Sequence, residues 1–166
     1  MIITFDKLFE NKEELSRISQ EDPFYVAACA VNIMCAYNPK NPDVFLEMLQ
    51  VLMGDVQPIT PMLKQNIRDR MMSNEKWPYI GKSYFRGAVP ANNYTPSIPY
   101  EVEVEENSHS YDQDGMVKLF IKNGGADLPR PITLRKLKDG RWLLWSDTII
   151  GMMTGIREPE SSNPWA

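Results

Sequence analysis

The residues from 24 to 37 form the longest apolar run of the chain, and Asn32 is its one polar member. Asp22 and Pro23 precede the run and match the capping residue and the first residue of a helix. A helix that is apolar on every side has to be covered on every side by other elements. We therefore expect residues 24–37 to form a central core helix. At about 14 residues the run is too short to span a bilayer, so no membrane partner is predicted.

Further helix starts surround this run. They are the capping-box-like stretch Asn11-Lys12-Glu13-Glu14, the pair Asn41-Pro42 and the pair Thr60-Pro61, each followed by apolar residues at helical spacing. A polar cap followed by proline is the usual beginning of a helix, because proline needs no backbone hydrogen bond there. Residues 1–76 are therefore predicted to be the helical half of the chain.

Period-two alternation replaces helical spacing after residue 98. The strand-like segments are 100–105, 117–122, 132–137 and 142–145. Outward Glu side chains on the first segment and outward Lys side chains on the second predict that these two strands are antiparallel neighbours. Asp139-Gly140 predicts a hairpin between the last two. The order indicates an α+β fold, in which three or four N-terminal helices pack on a C-terminal antiparallel sheet of four or five strands.

A length of 166 residues with 43% hydrophobic content predicts a single domain, 1–166. Between the helical half and the strands of 100–147 we expect an irregular aromatic and proline-rich segment, 77–99. Residues 148–166 would form a closing segment and tail. No signal peptide is expected, because the first residues lack a basic start. Cys29 and Cys35 fit buried free thiols, so a soluble cytoplasmic protein is predicted.

The net charge of −4 gives no reason to expect nucleic acid as a partner. The charge is unevenly distributed, however. Residues 116–147 hold seven Lys or Arg against three Asp, whereas residues 77–115 hold two basic and six acidic residues. The preferred interpretation is that the two segments pair across a sheet. The alternative is that the basic stretch stays exposed and binds an anion.

No residue pattern in the sequence indicates a catalytic or metal site. His109 is the only histidine and is expected in a turn between strands. The stretch 112–115 lacks the remaining ligands of a calcium loop. Gly124 and Gly125 lack the ending of a phosphate loop and are expected to let the chain turn at positive φ. We therefore predict no catalytic residue, no metal and no cofactor.

The segment 77–99 carries a high density of aromatic rings beside Arg and Asn side chains. Long irregular segments are often functional, and this composition is typical of binding surfaces. One hypothesis is a contact surface for a ligand or partner. Its candidate residues are Arg86, Asn92, Asn93, Tyr94, Arg130 and Arg157. The alternative hypothesis is that the rings pack between helices and sheet.

Several motifs of the chain occur together in a known pattern. They are GKSYFRGA at 81–88, NNYTP at 92–96, GGAD at 124–127, PRP at 129–131, WLLW at 142–145, GIREP at 155–159 and PWA at 164–166. The chain resembles, over about residues 77–166, an uncharacterised bacterial family of mainly Firmicutes, known as a domain of unknown function. That resemblance implies no catalytic or binding residues. A weaker similarity is to NTF2-like folds, in which helices cover a curved antiparallel sheet.

Three functions are compatible with these patterns. The leading one is a non-enzymatic cytoplasmic binding or protein-interaction module that uses the contact surface around 77–99. The second is a small-molecule-binding protein, or an enzyme, with a deep pocket between helices and sheet. Its walls would be Trp142 or Trp145, and its polar groups would be Asp127, Asp147 or Arg135. The third is a self-associating structural protein whose dimer face holds Met152, Met153 and the tail. Trp165 in that tail is expected to dock on the domain or on a partner.

Overall fold

The computed structural model describes residues 1–165, so Ala166, the last residue of the predicted tail, lies outside the described residues. The α-helices are α1 Lys12–Leu15, α2 Pro23–Met34, α3 Asp43–Met53, α4 Pro61–Met72 and α5 Thr148–Met152. The strands are β1 Ile2–Phe5, β2 Tyr100–Glu105, β3 Met116–Ile121, β4 Arg130–Lys136 and β5 Trp142–Leu144. Short 3₁₀ helices at Ser73–Glu75, Lys82–Tyr84, Pro90–Asn92 and Glu160–Ser162 complete the fold.

The five strands form one antiparallel sheet in the order β1-β2-β3-β4-β5. Helix α2 contacts every one of them, so the sheet curls around it. Helix α3 packs against α2 and against strand β5, and α1 packs against α3. The mixed helix and sheet content predicted from the sequence is therefore confirmed, and so is the central position of the apolar helix.

Helix α2 begins at Pro23, directly after the capping residue Asp22, as the sequence predicts. The carboxylate of Asp22 accepts a hydrogen bond from the backbone N–H of Phe24, and Pro23 occupies the first turn. Every residue from 26 to 34 is buried. The buried Asn32 has both ends of its amide satisfied. Its oxygen accepts from Phe9 N at 2.8 Å and its nitrogen donates to Lys7 O at 3.3 Å, which ties the N-terminal segment to the core helix.

The predicted pairing of the Glu-bearing and Lys-bearing strands is confirmed. β2 and β3 are antiparallel neighbours, with Val104 opposite Ile121. Lys122, directly after β3, lies 3.2 Å from the carboxylate of Glu103 and 3.3 Å from that of Glu105. These pairs are solvent-exposed, and each stabilises by less than about 1 kcal/mol. The hairpin predicted at Asp139-Gly140 connects β4 to β5, as expected.

The sequence predicts that residues 1–76 are the helical half of the chain, but the structure has a strand among them. Ile2–Phe5 is a strand that pairs antiparallel with β2, Phe5 lying opposite Tyr100. Only Phe5 of this strand is buried, so the period-two signal is too short to register in the sequence. A second difference is that Pro42 holds the capping position of α3 and makes no side-chain capping bond. The closing segment also contains a helix, α5, which packs on β4.

The prediction that Gly124 and Gly125 turn the chain at positive φ is wrong, because neither residue has a positive φ. The reason for glycine here is close approach of other groups. A Cβ on Gly124 would overlap the carbonyl oxygen of Ala88, and a Cβ on Gly125 would overlap the hydroxyl of Tyr94. The connection between β3 and β4 therefore packs directly against the segment 77–99.

We expect Gly124→Ala to lower the free energy of unfolding by about 2–3 kcal/mol, because the added methyl group has to push two backbone segments apart. Gly151→Ala is the matched control, since a Cβ there meets nothing within 4 Å and the residue is helical. The control should be neutral or slightly stabilising. Urea unfolding followed by circular dichroism measures both, and equal stabilities would contradict the close-approach explanation.

Candidate functional site

The aromatic side chains of the segment 77–99 are mostly buried. The hydroxyl of Tyr84 donates to the backbone oxygen of Met152 at 2.5 Å, and the hydroxyl of Tyr94 donates to the backbone oxygen of Arg157. Tyr94 has no exposed surface, and burial raises the pKa of its phenol to about 12. The hydroxyl is therefore a protonated donor at neutral pH. These rings are packed inside the domain, and their hydroxyls join the segment to the closing part of the chain.

The polar candidates of the same segment bind within the domain. Arg86 lies 2.9 Å from the carboxylate of Glu101. The Asn92 oxygen accepts from Val89 N and Thr95 N, and its nitrogen donates to Gly87 O at 2.8 Å. Asn92 thus organises its own loop. Asn93 accepts from the hydroxyl of Ser161 at 2.5 Å.

The two remaining candidates also have partners in the chain. Arg130 donates to the backbone oxygens of Leu128, Thr154 and Gly155. Arg157 forms an ion pair with Asp127 at 2.9 Å. Five of the six candidates therefore hold loops together, and Tyr94, being buried, is not a contact residue. Binding of an external partner by these six residues stays a prediction. This geometry does not favour it, because the side chains are buried or bonded within the domain.

The structure also corrects the predicted tail and dimer face. Trp165 is 93% exposed, so it does not dock on the domain. Met152 and Met153 are buried in the core and cannot form the face of a dimer in this conformation. Docking of Trp165 on a partner remains a prediction.

A groove with a volume of about 640 Å³ lies where the connection between α3 and α4 meets the β4–β5 hairpin. Its floor holds the buried side chains of Met53, Leu63 and Leu143. Its rim holds the exposed cations Arg135, Lys136 and Lys138, together with Asp147. The sequence analysis predicts a deep pocket between helices and sheet, whereas this groove lies at the surface. We call it the Arg135 groove.

Two of the residues predicted as pocket walls and polar groups meet directly in the Arg135 groove. The guanidinium carbon of Arg135 lies 4.6 Å from the centre of the Trp145 ring, within the range of a cation–π contact. Asp147 lines the same groove. The other predicted groups lie outside its lining. Trp142 lies beneath the ammonium of Lys136 at 5.7 Å, and Asp127 pairs with Arg157.

Gln57 fixes the shape of the groove, and sequence reasoning missed it. Its amide nitrogen donates to Met53 O at 2.8 Å and to Leu144 O at 2.9 Å, and its oxygen accepts from Ser146 N at 2.7 Å. Ser146 has a φ of 52°, a left-handed conformation that few residues other than glycine adopt. Gln57 therefore holds the backbone that follows Trp145. No local pattern marks this role, because Leu144 and Gln57 are 87 residues apart.

Among the described residues, the two thiols and the histidine show no arrangement for nucleophilic chemistry. Burial raises the pKa of the Cys29 thiol, and it raises the pKa of the Cys35 thiol to about 12, so both stay protonated near neutral pH. His109 has an 81% exposed side chain and pairs with Asp112 at 2.9 Å. Within residues 1–165, no group of three or more His, Cys, Asp or Glu side chains converges in a way that could hold a metal ion.

Over residues 7–160 the chain matches the family described as a domain of unknown function (DUF6935), and it belongs to that family. No curated protein and no solved structure matches the chain. The similarity to NTF2-like folds therefore stays a prediction. None of the described helices has the length and apolar character needed to cross a membrane.

We expect Tyr94→Phe to lower the free energy of unfolding by about 1–3 kcal/mol, because the backbone oxygen of Arg157 loses its buried donor. Tyr111→Phe is the matched control. Tyr111 is 54% exposed and donates only to Glu106, so its loss should change stability by less than about 0.5 kcal/mol. Chemical denaturation measures both. A Tyr94→Phe variant as stable as the parent would argue against the tie between this segment and the closing part of the chain.

Proposed function

We propose that this protein is a binding protein, and that the Arg135 groove takes an anionic ligand with an apolar body. The observation that carries the proposal is the stacking of Arg135 on Trp145 at the edge of an apolar floor. A guanidinium held over a ring presents its N–H groups in a fixed fork, which suits a carboxylate or a phosphate. The proposal follows the second of the three functions considered above.

The charge of the groove supports an anion. Three cations, Arg135, Lys136 and Lys138, line it against one carboxylate, that of Asp147. Among residues 1–165 none of these three cations lies within ion-pair distance of a carboxylate. Cations that have no carboxylate partner in their own chain are available to one on a ligand.

The size and floor of the groove support a ligand that also has an apolar part. Sites for small organic molecules have volumes of roughly 300–1,000 Å³ and are mostly apolar, with a few polar groups that fix orientation. The groove of about 640 Å³ falls within that range, and Met53, Leu63 and Leu143 supply the apolar surface. Gln57 supports the pre-formed shape, since it bonds to the backbone of two lining residues, Met53 and Ser146. Pre-formed sites lose less entropy when they bind.

A non-enzymatic role in the cytoplasm is part of the proposal and rests on the sequence. The described lining of the Arg135 groove includes the hydroxyls of Thr60 and Ser146, and neither of them donates a hydrogen bond to a carboxylate, which supports binding rather than catalysis. The protein-interaction surface around 77–99 is the weaker alternative, because the Arg and Asn side chains that would form it are bonded to their own chain.

The proposal is tested with 4-phenylbutyrate as the probe and 4-phenylbutanol as its uncharged counterpart. We expect the carboxylate to bind at least about tenfold more tightly, because its head group gains a charge-assisted hydrogen bond. Two-dimensional NMR should show the indole N–H signal of Trp145 shifting on titration, and calorimetry should give the affinities.

Arg135→Gln should weaken binding of the carboxylate by about tenfold and leave the alcohol unaffected. Arg141→Gln is the matched control, because Arg141 is on the same hairpin but pairs with Asp139 and does not line the groove. Equal binding of acid and alcohol would contradict the anion site. So would an equal loss in both variants, which would indicate general attraction to positive charge.

A further inference from the structure

The Arg135 groove has one carboxylate in its lining, that of Asp147, and the fold does not use it. Within residues 1–165 no ion pair includes Asp147. Asp147 directly precedes helix α5, yet it makes no side-chain capping bond to that helix. Because an ionised carboxylate only accepts hydrogen bonds, its oxygens are available to a donor on a ligand.

The backbone on both sides of Asp147 is held in place. On one side the backbone nitrogen of Ser146 donates to the amide oxygen of Gln57 at 2.7 Å. On the other side the hydroxyl of Thr148 accepts from the backbone nitrogen of Thr133, on β4, at 2.9 Å. The free carboxylate therefore projects from a fixed part of the groove lining, which limits the entropy that binding has to remove.

Arg135 and Asp147 line the same groove without pairing with each other. A bond between them would satisfy the guanidinium and the carboxylate together and leave neither for a ligand. Both charges stay available because they are farther apart than an ion pair. A ligand that carries an acceptor for Arg135 and a donor for Asp147 gains a charge-assisted hydrogen bond at each.

The apolar floor adds a third requirement to these two. Met53, Leu63 and Leu143 are buried and offer apolar surface to whatever lies on them. An α-amino acid carries an ammonium group, a carboxylate and a side chain on one carbon, so it meets all three requirements. A simple carboxylic acid has no charged donor for Asp147, and a simple amine has no acceptor for Arg135.

Two further cations line the groove, and neither is within ion-pair distance of Asp147. The ammonium of Lys136 lies 5.7 Å from the centre of the Trp142 ring, which is outside the groove lining. Lys138 is in the turn after β4. These lysines favour the carboxylate end of a ligand. Recognition of its ammonium group depends on the local charge of Asp147.

We propose that the ligand of the Arg135 groove is an α-amino acid with a large apolar side chain. Arg135 binds its carboxylate, Asp147 accepts hydrogen bonds from its ammonium group, and the floor covers its side chain. This inference rests on the proposed function and narrows the ligand class. Asp147 is then the residue that selects amino acids over plain carboxylic acids.

The test compares L-phenylalanine with 3-phenylpropionate, which has the same skeleton without the ammonium group. Calorimetry gives both affinities. We expect phenylalanine to bind about tenfold more tightly, the effect of one hydrogen bond between charged groups. 2-Phenylethylamine, which lacks the carboxylate, should bind more weakly than phenylalanine. Binding of 3-phenylpropionate as tightly as phenylalanine would overturn the amino-acid proposal and leave the anion site intact. No binding of either acid would contradict the proposed function itself.

Asp147→Asn should weaken binding of phenylalanine by about tenfold. It should not weaken binding of 3-phenylpropionate, because the carboxylate of Asp147 repels that anion. Asp55→Asn is the matched control, since Asp55 is an exposed carboxylate close to the groove that does not line it. The control should bind both ligands as the parent does. Equal loss of phenylalanine binding in the two variants would overturn the proposal, because it would indicate general attraction to negative charge.

A purely structural role for Asp147 has a different signature. Its carboxylate makes no ion pair or capping bond within residues 1–165, so Asp147→Asn should unfold at the same urea concentration as the parent. The variant should therefore lose affinity for phenylalanine without losing stability. A variant that unfolds earlier and binds phenylalanine as well as the parent does would show that the carboxylate supports the fold and not a ligand.

Discussion

The burial of helix α2 is the constraint on which the rest of the structure depends. Nine consecutive residues of this helix are buried, so every face of it must be covered. A flat sheet would cover one face only. The five-stranded antiparallel sheet curls so that each of its strands contacts the helix, and α3, with α1 packed on it, adds further cover. Asn32 is the polar exception, and its amide binds the backbone of Lys7 and Phe9. These bonds hold the segment that directly follows β1, the strand at the edge of the sheet.

This arrangement moves binding sites to the periphery. The side chains of α2 fill the space within the curl, so the deep pocket expected between helices and sheet is replaced by surface clefts at the connections between elements. Those connections carry strained backbone. Among residues 1–165, Asn74, Glu75, Asn93, Tyr94 and Ser146 are the non-glycine residues with positive φ. All but Tyr94 line the Arg135 groove or one of the two surface clefts beside residues 158–163. Such strain is retained where surrounding contacts enforce it, as Gln57 does for Ser146.

Local patterns predicted the elements that have strong local signals. Proline after a polar cap identified α2 and α4, and alternation with an Asp-Gly turn identified β2 to β5. Strand β1 escaped prediction because its four residues depend on pairing with Tyr100–Glu105, far along the chain. The same limit applies to the sites. Arg135 and Trp145 could be proposed separately as a polar group and a wall, but their stacking depends on the strand register and on Gln57. The positive φ predicted at Gly124 is wrong, because the actual reason for glycine, a close approach by Ala88, leaves no trace in the local sequence.

The uneven charge of the sequence has a structural meaning that combines both of its interpretations. Lys122 of the basic stretch is neutralised by Glu103 and Glu105 of the acidic stretch, as expected for strands that pair. Arg135, Lys136 and Lys138 lie further along, on β4 and just after it, where the neighbouring strands β3 and β5 bring no carboxylate opposite them. β4 pairs with β3 through Met116 and with β5 through Leu143 at the position of Arg135. The sheet order therefore separates these cations from the acidic strand β2, which leaves their charge available at the Arg135 groove.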